Sequence, residues 1–286
     1  MPLHHDLGDN PSPNDFKIAI QLLISANHIL HYHGLVDAFG HVSIRHPENP
    51  KLYIIAAYDP GAPALVSSCS DFIEYFVGNS EPAYPPQPKG YSERFIHGEI
   101  YQQFPSVQCV VHSHSEAVIP FTIAGQTVKP VFHMAGFLGA NGPATFKYPE
   151  WDHLPKDMLI RSPELGQRLA ATFCTAQHDE PGHSVVLQHK HGFTCIGDGI
   201  QQAVYRAIYT QKNCLLLKDA MNMAGGDGSK VDYLTPDEAE GCAKIIGMTQ
   251  DKSFRLWLRE VEVDRLYRNM EGIPDALPVG GIAEGT

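Results

Sequence analysis

The sequence predicts an α/β fold, because helix-start signals alternate along it with short apolar runs of strand length. Its 286 residues suffice for one large domain or two small ones. The composition, 43% hydrophobic and 19% charged, is that of an ordinary globular protein. Each element below is predicted from its own local signal.

The N-terminal part is predicted to form a helix followed by two strands. Ser12 is expected to cap this helix, with Pro13 in its first turn, and the helix runs to about residues 33–34. Short apolar runs then predict extended segments at 42–45 and 52–57.

The middle of the chain contains both regular and irregular segments. Proline, glycine and tyrosine crowd residues 78–91, which is typical of a loop. A helix is predicted to open at Ser92 and run to about residue 103, followed by a strand at 107–112 and a short helix at 116–123. Residues 125–161 show no clear period and are predicted to be irregular, and so long a loop usually carries function.

The next elements are a helix, a strand pair and a long helix. Ser162 is predicted to start the first helix, strands at 184–191 and 193–196 are joined through Gly192, and 201–221 has helical spacing. Thr235 then begins a capping box, which predicts a helix at 236–248, and another helix is expected at 250–269.

These elements suggest three sections of the chain. We expect a flexible N-terminal segment at 1–13, a catalytic domain at 14–225, and a C-terminal helical extension with a mobile tail at 226–286.

Composition and charge narrow the class of ligand. The net charge is −11 with no basic cluster, which argues against nucleic acid and acidic membranes as partners. No run approaches the roughly 20 apolar residues of a membrane helix, and residues 1–13 do not resemble a secretory signal. The six cysteines form no C-x-x-C pair, so we expect buried reduced thiols. A cytoplasmic location and a small-molecule ligand are the resulting expectations.

The strongest functional signal is an apolar run that ends in His112-Ser113-His114. Side chains two apart on a strand point to the same face, so both imidazoles can reach one metal ion. The alternative is two polar residues on a half-buried strand. Metal binding is the preferred interpretation, because two inward imidazoles without a partner are costly to bury.

A second apolar run ends in His189-Lys190-His191 and can supply a third nitrogen ligand. Spacing alone does not choose between His189 and His191, since both point the same way. Three neutral imidazoles suit zinc and, with open positions, manganese, iron or cobalt, so the site is interpreted as catalytic rather than structural.

Three further groups of residues are candidates. Glu93 is placed in the first turn of its predicted helix, where it is either a helix-start carboxylate or a metal ligand or general acid/base. His41, Ser43 and Arg45 share one face of a short strand, which either grips a substrate anion or faces solvent. His133 lies in an apolar stretch and, taken alone, is a core histidine.

Together these segments resemble the class II aldolase/adducin family. The family pattern runs G-N-x-S-x-R, S-E-x-x-x-H, V-x-H-x-H-S and finally an apolar strand ending in H-G, and the resemblance spans about residues 14–220. The counterparts here are 40–45, 92–97, 110–115 and 191–192.

The resemblance implies a class II aldolase-like three-layer α/β/α fold whose central, mostly antiparallel sheet is flanked by helices. It implies that His112, His114 and His191 bind one divalent metal ion per chain, which favours His191 over His189, and that Glu93 is the acid/base. Zinc is the expected ion, with manganese, iron, cobalt or magnesium as alternatives. Homotetramers with active sites at subunit interfaces are usual in the family.

Two departures from the family pattern bear on the substrate. Residues 57–61 include Asp59 where sugar-phosphate aldolases carry a phosphate-binding turn, and His41 replaces the asparagine of G-N-x-S-x-R. Phosphorylated substrates are therefore not expected. The amino-acid sequence at 39–43, 92–101 and 133–137 is similar to that of the branch of dihydroxyphthalate-type and hydroxymuconate-type decarboxylases.

The resulting hypothesis is a metal-dependent lyase that decarboxylates a non-phosphorylated hydroxylated aromatic or hydroxymuconate-type acid through a metal-stabilised enolate. Ser43 and Arg45 would orient a carboxylate, with His41 beside them, Glu93 would move the proton, and His133 would assist. The alternative is a retro-aldolase acting on a hydroxy-keto acid. A cupin-like oxygenase has the wrong spacing, and an adducin-like scaffold would be expected to lack the metal histidines.

Overall fold

A computed structural model describes residues 13–60, 62–85, 88–150, 155–175, 180–274 and 277. Within these ranges seven strands form one sheet in the order β3-β2-β1-β4-β7-β6-β5. All neighbouring strands are antiparallel except β5 and β6, which are parallel. The strands are β1 His41–Arg45, β2 Leu52–Ala56, β3 Phe72–Phe76, β4 Cys109–Ser113, β5 Ala144–Phe146, β6 Val185–Gln188 and β7 Gly192–Gly197.

Helices pack in two groups against this sheet. One group packs on β1, β4 and β7, and the other on β2 and β4. The first consists of α1 Pro13–Tyr32, α5 Ile200–Met223 and α7 Gln250–Glu262, and the second of α2 Arg94–Gln103 and α4 Pro163–Ala171. The predicted α/β fold with a mostly antiparallel sheet flanked by helices is confirmed.

The register of the central strands decides which polar side chains meet. His41 lies opposite His112 across β1 and β4. Because successive strand residues alternate between faces, Ser43 and Arg45 share the face of His41, while Val42 and Ile44 point to the other. The polar face of β1 lies under α2, since Ser43 contacts Tyr101 of that helix.

A tight turn joins β6 to β7 and places His191 at the start of β7. Lys190 in this turn has a positive φ of 60°. Gly192 follows His191, and a Cβ at this position would collide with the main-chain oxygen of Ser113 in β4. Glycine at 192 therefore lets the turn approach β4 closely, which brings His191 next to the two histidines at the end of that strand.

The C-terminal part contributes two further helices. Thr235 forms the predicted capping box before α6 Pro236–Ile246. Its hydroxyl accepts a hydrogen bond from the Glu238 amide, and its own amide donates to the Glu238 carboxylate. Helix α6 packs on a 3-10 helix at His133–Leu138, whereas α7 packs on α1 and α5. In the part of the chain described here, no helix is long and apolar enough to cross a membrane.

Most predicted elements are found, with shifts of a few residues at their ends. The prediction that 125–161 is irregular is wrong for β5 and for the 3-10 helix. Strand β5 is only three residues long and pairs with β6 alone, so it leaves no periodic signal. Strand β3 was not predicted either. The proposed cap Ser12, most of the predicted segment 1–13 and nearly all of the predicted mobile tail lie outside the described residues.

Candidate metal centre

Three imidazole nitrogens converge where β4 ends and β7 begins. The Nε2 atom of His114 lies 3.0 Å from Nε2 of His112 and 3.0 Å from Nε2 of His191. Together with a carboxylate oxygen of Glu93, these ligand atoms all lie within 4.8 Å of one another. The residues that the H-x-H and H-G patterns singled out are thus brought together by the sheet register and the turn before β7.

Two of the rings also have hydrogen-bond partners on the side away from the cluster. The Nδ1 atom of His112 lies 3.2 Å from the hydroxyl of Thr194, and the His191 ring is hydrogen-bonded to the main chain of Met158. A neutral ring that donates through such an outer bond keeps an unprotonated Nε2, and a metal ion on Nε2 would select that tautomer. A neutral His114 has at most one proton on its Nε2, so it cannot satisfy both neighbouring lone pairs.

This convergence of lone pairs fits a bound cation. A tetrahedral ion with metal–nitrogen bonds of about 2.0–2.1 Å holds its ligand atoms roughly 3.3 Å apart, close to the spacing seen here. The outer hydrogen bonds of His112 and His191 are of the kind that orient metal-bound imidazoles. The residues present therefore fit a divalent metal ion with three nitrogen ligands and one oxygen ligand.

Burial keeps these histidines neutral, as metal ligands must be. Burial lowers the pKa of His112 well below its usual value, and the nearby His191 and His114 add to the effect. Burial likewise lowers the pKa of His114, and it lowers that of His191 to about 4. Neutral rings offer the lone pairs that a metal ion needs without first losing a proton.

Glu93 supplies the carboxylate of the cluster. It lies immediately before α2, one residue ahead of the first turn in which the sequence placed it. One oxygen, Oε1, accepts a hydrogen bond of 2.9 Å from the Ile160 amide, while Oε2 lies 3.9 Å from His112 Nε2 and 3.7 Å from His191 Nε2. Burial raises the pKa of Glu93 to about 7 despite the Ile160 bond, so this carboxyl group exchanges protons near neutral pH.

His41 and Ser43 lie beside the cluster in a buried chain of polar side chains. His41 is 5.1 Å from His112 between ring centroids. Its Nδ1 atom contacts Nε2 of His97, and Nδ1 of His97 contacts the Ser43 hydroxyl. Ser43 in turn contacts the hydroxyl of Tyr101. Ser43 is therefore enclosed between His97 and Tyr101, and it is fully buried rather than open to a ligand.

Arg45 is bonded to the main chain. Its guanidinium donates hydrogen bonds to the main-chain carbonyls of Val107, Pro50, Tyr101 and Phe104, and it lies over the Tyr101 ring. These bonds engage most of the guanidinium with the main chain around the end of α2, so its role toward a substrate carboxylate stays a prediction. The sequence could not show this, because the carbonyls come from residues between 5 and 62 positions away.

Two other predicted candidates lie outside the cluster. His133 is exposed at the start of the 3-10 helix and is not among the converging ligand atoms. His189, two residues before His191, also stays outside, and its main-chain amide bonds to the Phe146 carbonyl.

A cavity of about 620 Å³ reaches the cluster from the side of α5 and the segment that follows α1. Its lining includes His114, Asp37, Glu116, Gln211 and Lys218. Such a volume accommodates a small organic acid.

Sequence reasoning missed the groups that support the cluster from outside. Ile160 and Met158 act through main-chain atoms, which carry no residue-type signal. Met158 has a positive φ of 68°, which is uncommon for a residue with a side chain. The stretch 125–161 was nevertheless marked as a long segment of the kind that carries function.

The chain is similar to a family model and to two decarboxylases. A model of the class II aldolase and adducin N-terminal domain matches residues 21–217. The chain is 44% identical to decarboxylase tropJ of Talaromyces stipitatus over 89% of this chain and 98% of that protein. It is 29% identical to 3,4-dihydroxyphthalate decarboxylase of Arthrobacter keyseri, over 71% of this chain and 78% of that one.

The fold is also found among solved structures. L-fuculose 1-phosphate aldolase from Glaciozyma antarctica superposes with a TM-score of 0.66, covering 89% of this chain and 93% of that one. At 18% identity this likeness concerns the fold.

Proposed function

The chain belongs to the class II aldolase and adducin family and is a carbon–carbon lyase, and from this premise we propose that it is a metal-dependent decarboxylase of a non-phosphorylated acid. The proposed substrate class is a hydroxylated aromatic or hydroxymuconate-type carboxylic acid. The observation that carries the proposal is the convergence of His112, His114, His191 and Glu93 in a chain 44% identical to a decarboxylase.

The three histidines would hold the ion, with the Glu93 carboxyl group beside it. A bound divalent metal would supply a Lewis acid that stabilises the electron pair left on carbon when the carbon–carbon bond breaks. Zinc is our proposed ion, because three imidazoles with a fourth position left for substrate suit its tetrahedral preference. Manganese, iron, cobalt and magnesium are the competing ions that metal analysis distinguishes.

Glu93 is the proposed proton donor. In decarboxylation the bond to the carboxylate breaks, CO2 leaves, and the carbon that keeps the electron pair takes up a proton. Burial raises the pKa of this carboxyl group, so Glu93 holds and gives up a proton closer to neutral pH than an exposed carboxyl group does. Glu93 is then protonated again from solvent, which closes the cycle.

The loop after β2 bears on whether the substrate carries phosphate. Asp59 lies exposed in the loop after β2, and its carboxylate repels a phosphate dianion. With Arg45 engaged by the main chain, His41 is the remaining member of the predicted β1 group that lies beside the cluster. We propose that His41 orients the substrate. Ser43 and Arg45 would act indirectly, by positioning His97 and Tyr101.

His133 is proposed to act in a neighbouring subunit of a homotetramer. It is exposed, and it does not join the cluster of its own chain. Large apolar side chains are also exposed on α5, among them Leu216 at 47% and Met223 at 89%, and association would cover such groups. Mixing inactive His133→Ala and Glu93→Gln subunits should restore part of the activity if sites are shared, and a monomeric mass would contradict this arrangement.

The function is tested by a product screen. The purified protein, loaded separately with zinc and with each competing metal, is incubated with hydroxylated aromatic acids and muconic acids, and released CO2 is measured. We expect CO2 with at least one such acid and none after chelation of the metal. An aldehyde and a keto acid in place of CO2 would instead identify a retro-aldolase. Its cytoplasmic location is a separate proposal, tested by cell fractionation.

A further inference from the structure

We propose that Tyr101, Ser43 and His97 form a one-way chain of hydrogen bonds that fixes His41 in the tautomer with a proton on Nε2. His41 thereby presents a permanent N–H donor beside the metal ligands. The donor's use on a substrate rests on the proposed function, but the chain and the tautomer do not.

The chain is continuous and enclosed. The Tyr101 hydroxyl lies 2.8 Å from the Ser43 hydroxyl, Ser43 Oγ lies 2.6 Å from His97 Nδ1, and His97 Nε2 lies 2.7 Å from His41 Nδ1. The exposed fraction of these residues is 3% for His41 and at most 1% for the other three. Water therefore has little access to these bonds, and each proton must be shared between the chain's own atoms.

The Tyr101 end gives the chain its direction. Within the described residues, the hydroxyl of Tyr101 has Ser43 as its hydrogen-bond partner. If Tyr101 donates to Ser43, then Ser43 donates to His97 Nδ1, and His97 donates from Nε2 to His41 Nδ1. In the reverse direction the Tyr101 hydroxyl proton would be buried without an acceptor, which is costly.

Each ring carries one proton, so the direction decides the tautomer. The 2.7 Å contact between His41 Nδ1 and His97 Nε2 requires one of these nitrogens to be unprotonated, and burial lowers the pKa of His97 to about 3. Burial also raises the pKa of Tyr101 far above 10, so its hydroxyl keeps the proton that starts the chain. When His41 accepts at Nδ1, its single proton lies on Nε2.

The free end of the chain reaches the cluster. Among the described residues, Nε2 of His41 has no hydrogen bond and is not one of the fully buried polar atoms that lack a partner. It thus keeps a small exposed area, and the His41 ring lies 5.1 Å from His112 and 4.9 Å from Tyr91. A neutral N–H donor at this place suits an anionic oxygen, such as a substrate carboxylate or an enolate oxygen.

The chain of hydrogen bonds also explains how a histidine at position 41 can serve as a permanent N–H donor. The family pattern has an asparagine there, whose amide always offers N–H donors, whereas a neutral imidazole offers one on Nε2 in only one of its two tautomers. Arg45 steadies the far end, since its guanidinium donates to the Tyr101 carbonyl and lies 4.9 Å from the Tyr101 ring. Arg45 is thus a positioning residue in this arrangement.

Side-chain 15N NMR of histidine-labelled protein loaded with Zn²⁺ tests the tautomer without substrate. The His41 signals are identified by their loss in His41→Asn. We expect an unprotonated Nδ1 and a protonated Nε2, which have well-separated chemical shifts. A proton on Nδ1, or a mixture of both tautomers, would overturn the proposal whatever the protein's activity proves to be.

A hydroxyl deletion tests whether the chain is the cause. Ser43→Ala should produce mixed tautomers at His41 and lower kcat about tenfold, roughly the effect of one lost hydrogen bond. Ser43→Thr, which restores a hydroxyl, should recover both. Thr210→Ala removes a buried hydroxyl from α5 and should change neither. An unchanged tautomer in folded Ser43→Ala would show that the chain does not set it, and if that variant does not fold, the wild-type measurement still decides.

Discussion

The histidines where β4 ends and β7 begins, and those in and just after helix α1, are buried to similar degrees but differ in what they face. On α1, His28 Nε2 lies 2.6 Å from the Val66 carbonyl and His31 Nδ1 contacts the Tyr267 hydroxyl, and just after this helix His33 Nε2 lies 3.4 Å from Glu260. Where β4 ends and β7 begins, the Nε2 atoms of His114 and His191 point toward one another.

The comparison teaches that burial alone does not identify a metal ligand. Burial lowers the pKa of His28 and of His191 alike to about 4. His28 and His31 each have a hydrogen-bond partner of their own, whereas His33 Nε2 lies near the Glu260 carboxylate without a hydrogen bond among the described residues. The Nε2 atoms of His112, His114 and His191 instead face one another, and a shared cation would satisfy them together.

The largest expected effect separates the two regions by metal content. His191→Ala and His114→Ala should each abolish retention of the ion, because two remaining imidazoles hold a metal weakly. His28→Ala should keep about one divalent ion per chain. Metal content after gel filtration, measured by elemental analysis, checks this. Equal metal loss from His28→Ala would contradict the distinction between the regions.

Replacing the carboxylate near each group of histidines compares the two regions by their effect on kcat. Glu93→Gln keeps the size of the side chain but not its acid/base function, so we expect kcat to fall by roughly 10²-fold or more while the fold is retained. Glu260→Gln, which alters the partner of His33 on the other side, is the matched control and should leave kcat near the parental value. A Glu93→Gln variant with parental kcat would leave Glu93 as a helix-start carboxylate.

Acid should destabilise the α1 region in a defined window. The pKa of His28 is about 4 in the folded chain, mainly through burial, against about 6.5 when unfolded. Between these values the unfolded state binds more protons, so stability is lost as the pH falls from about 6.5 to 4. The loss from His28 is of order 3 kcal/mol.

Denaturant unfolding of the metal-loaded protein at several pH values measures this loss, and His28→Gln provides the comparison. The glutamine side chain does not titrate, so the variant should lose less stability between pH 6.5 and 4 than the parent. Identical pH profiles would mean that His28 does not contribute to the acid sensitivity.

The smallest expected effect concerns His189, the neighbour that shares the spacing of a ligand. His189→Ala should retain most of the metal and activity, since its ring stays outside the cluster while its main-chain amide pairs with Phe146. Metal loss equal to that of His191→Ala would show that the wrong histidine of the pair is proposed as a ligand.

The sequence by itself predicted the α/β class, most helices and strands, and the family to which the chain belongs. These follow from local patterns: the capping box at Thr235, the apolar run before His112, and the ordered motifs. Such signals lie within a few residues of one another, so they survive without knowledge of the fold. Strand β5 was missed because three residues with one parallel partner leave no such pattern.

Only the tertiary structure decided how the polar residues meet. His41, Ser43 and Arg45 look equivalent on one strand face, yet the structure places His41 beside the cluster, Ser43 inside a buried chain and Arg45 among main-chain carbonyls. Spacing likewise could not separate His189 from His191, whereas the turn before β7 and the close approach at Gly192 do. The reason is physical: hydrogen-bond partners and burial depend on strand register and on contacts between residues far apart in the chain, which no local pattern encodes.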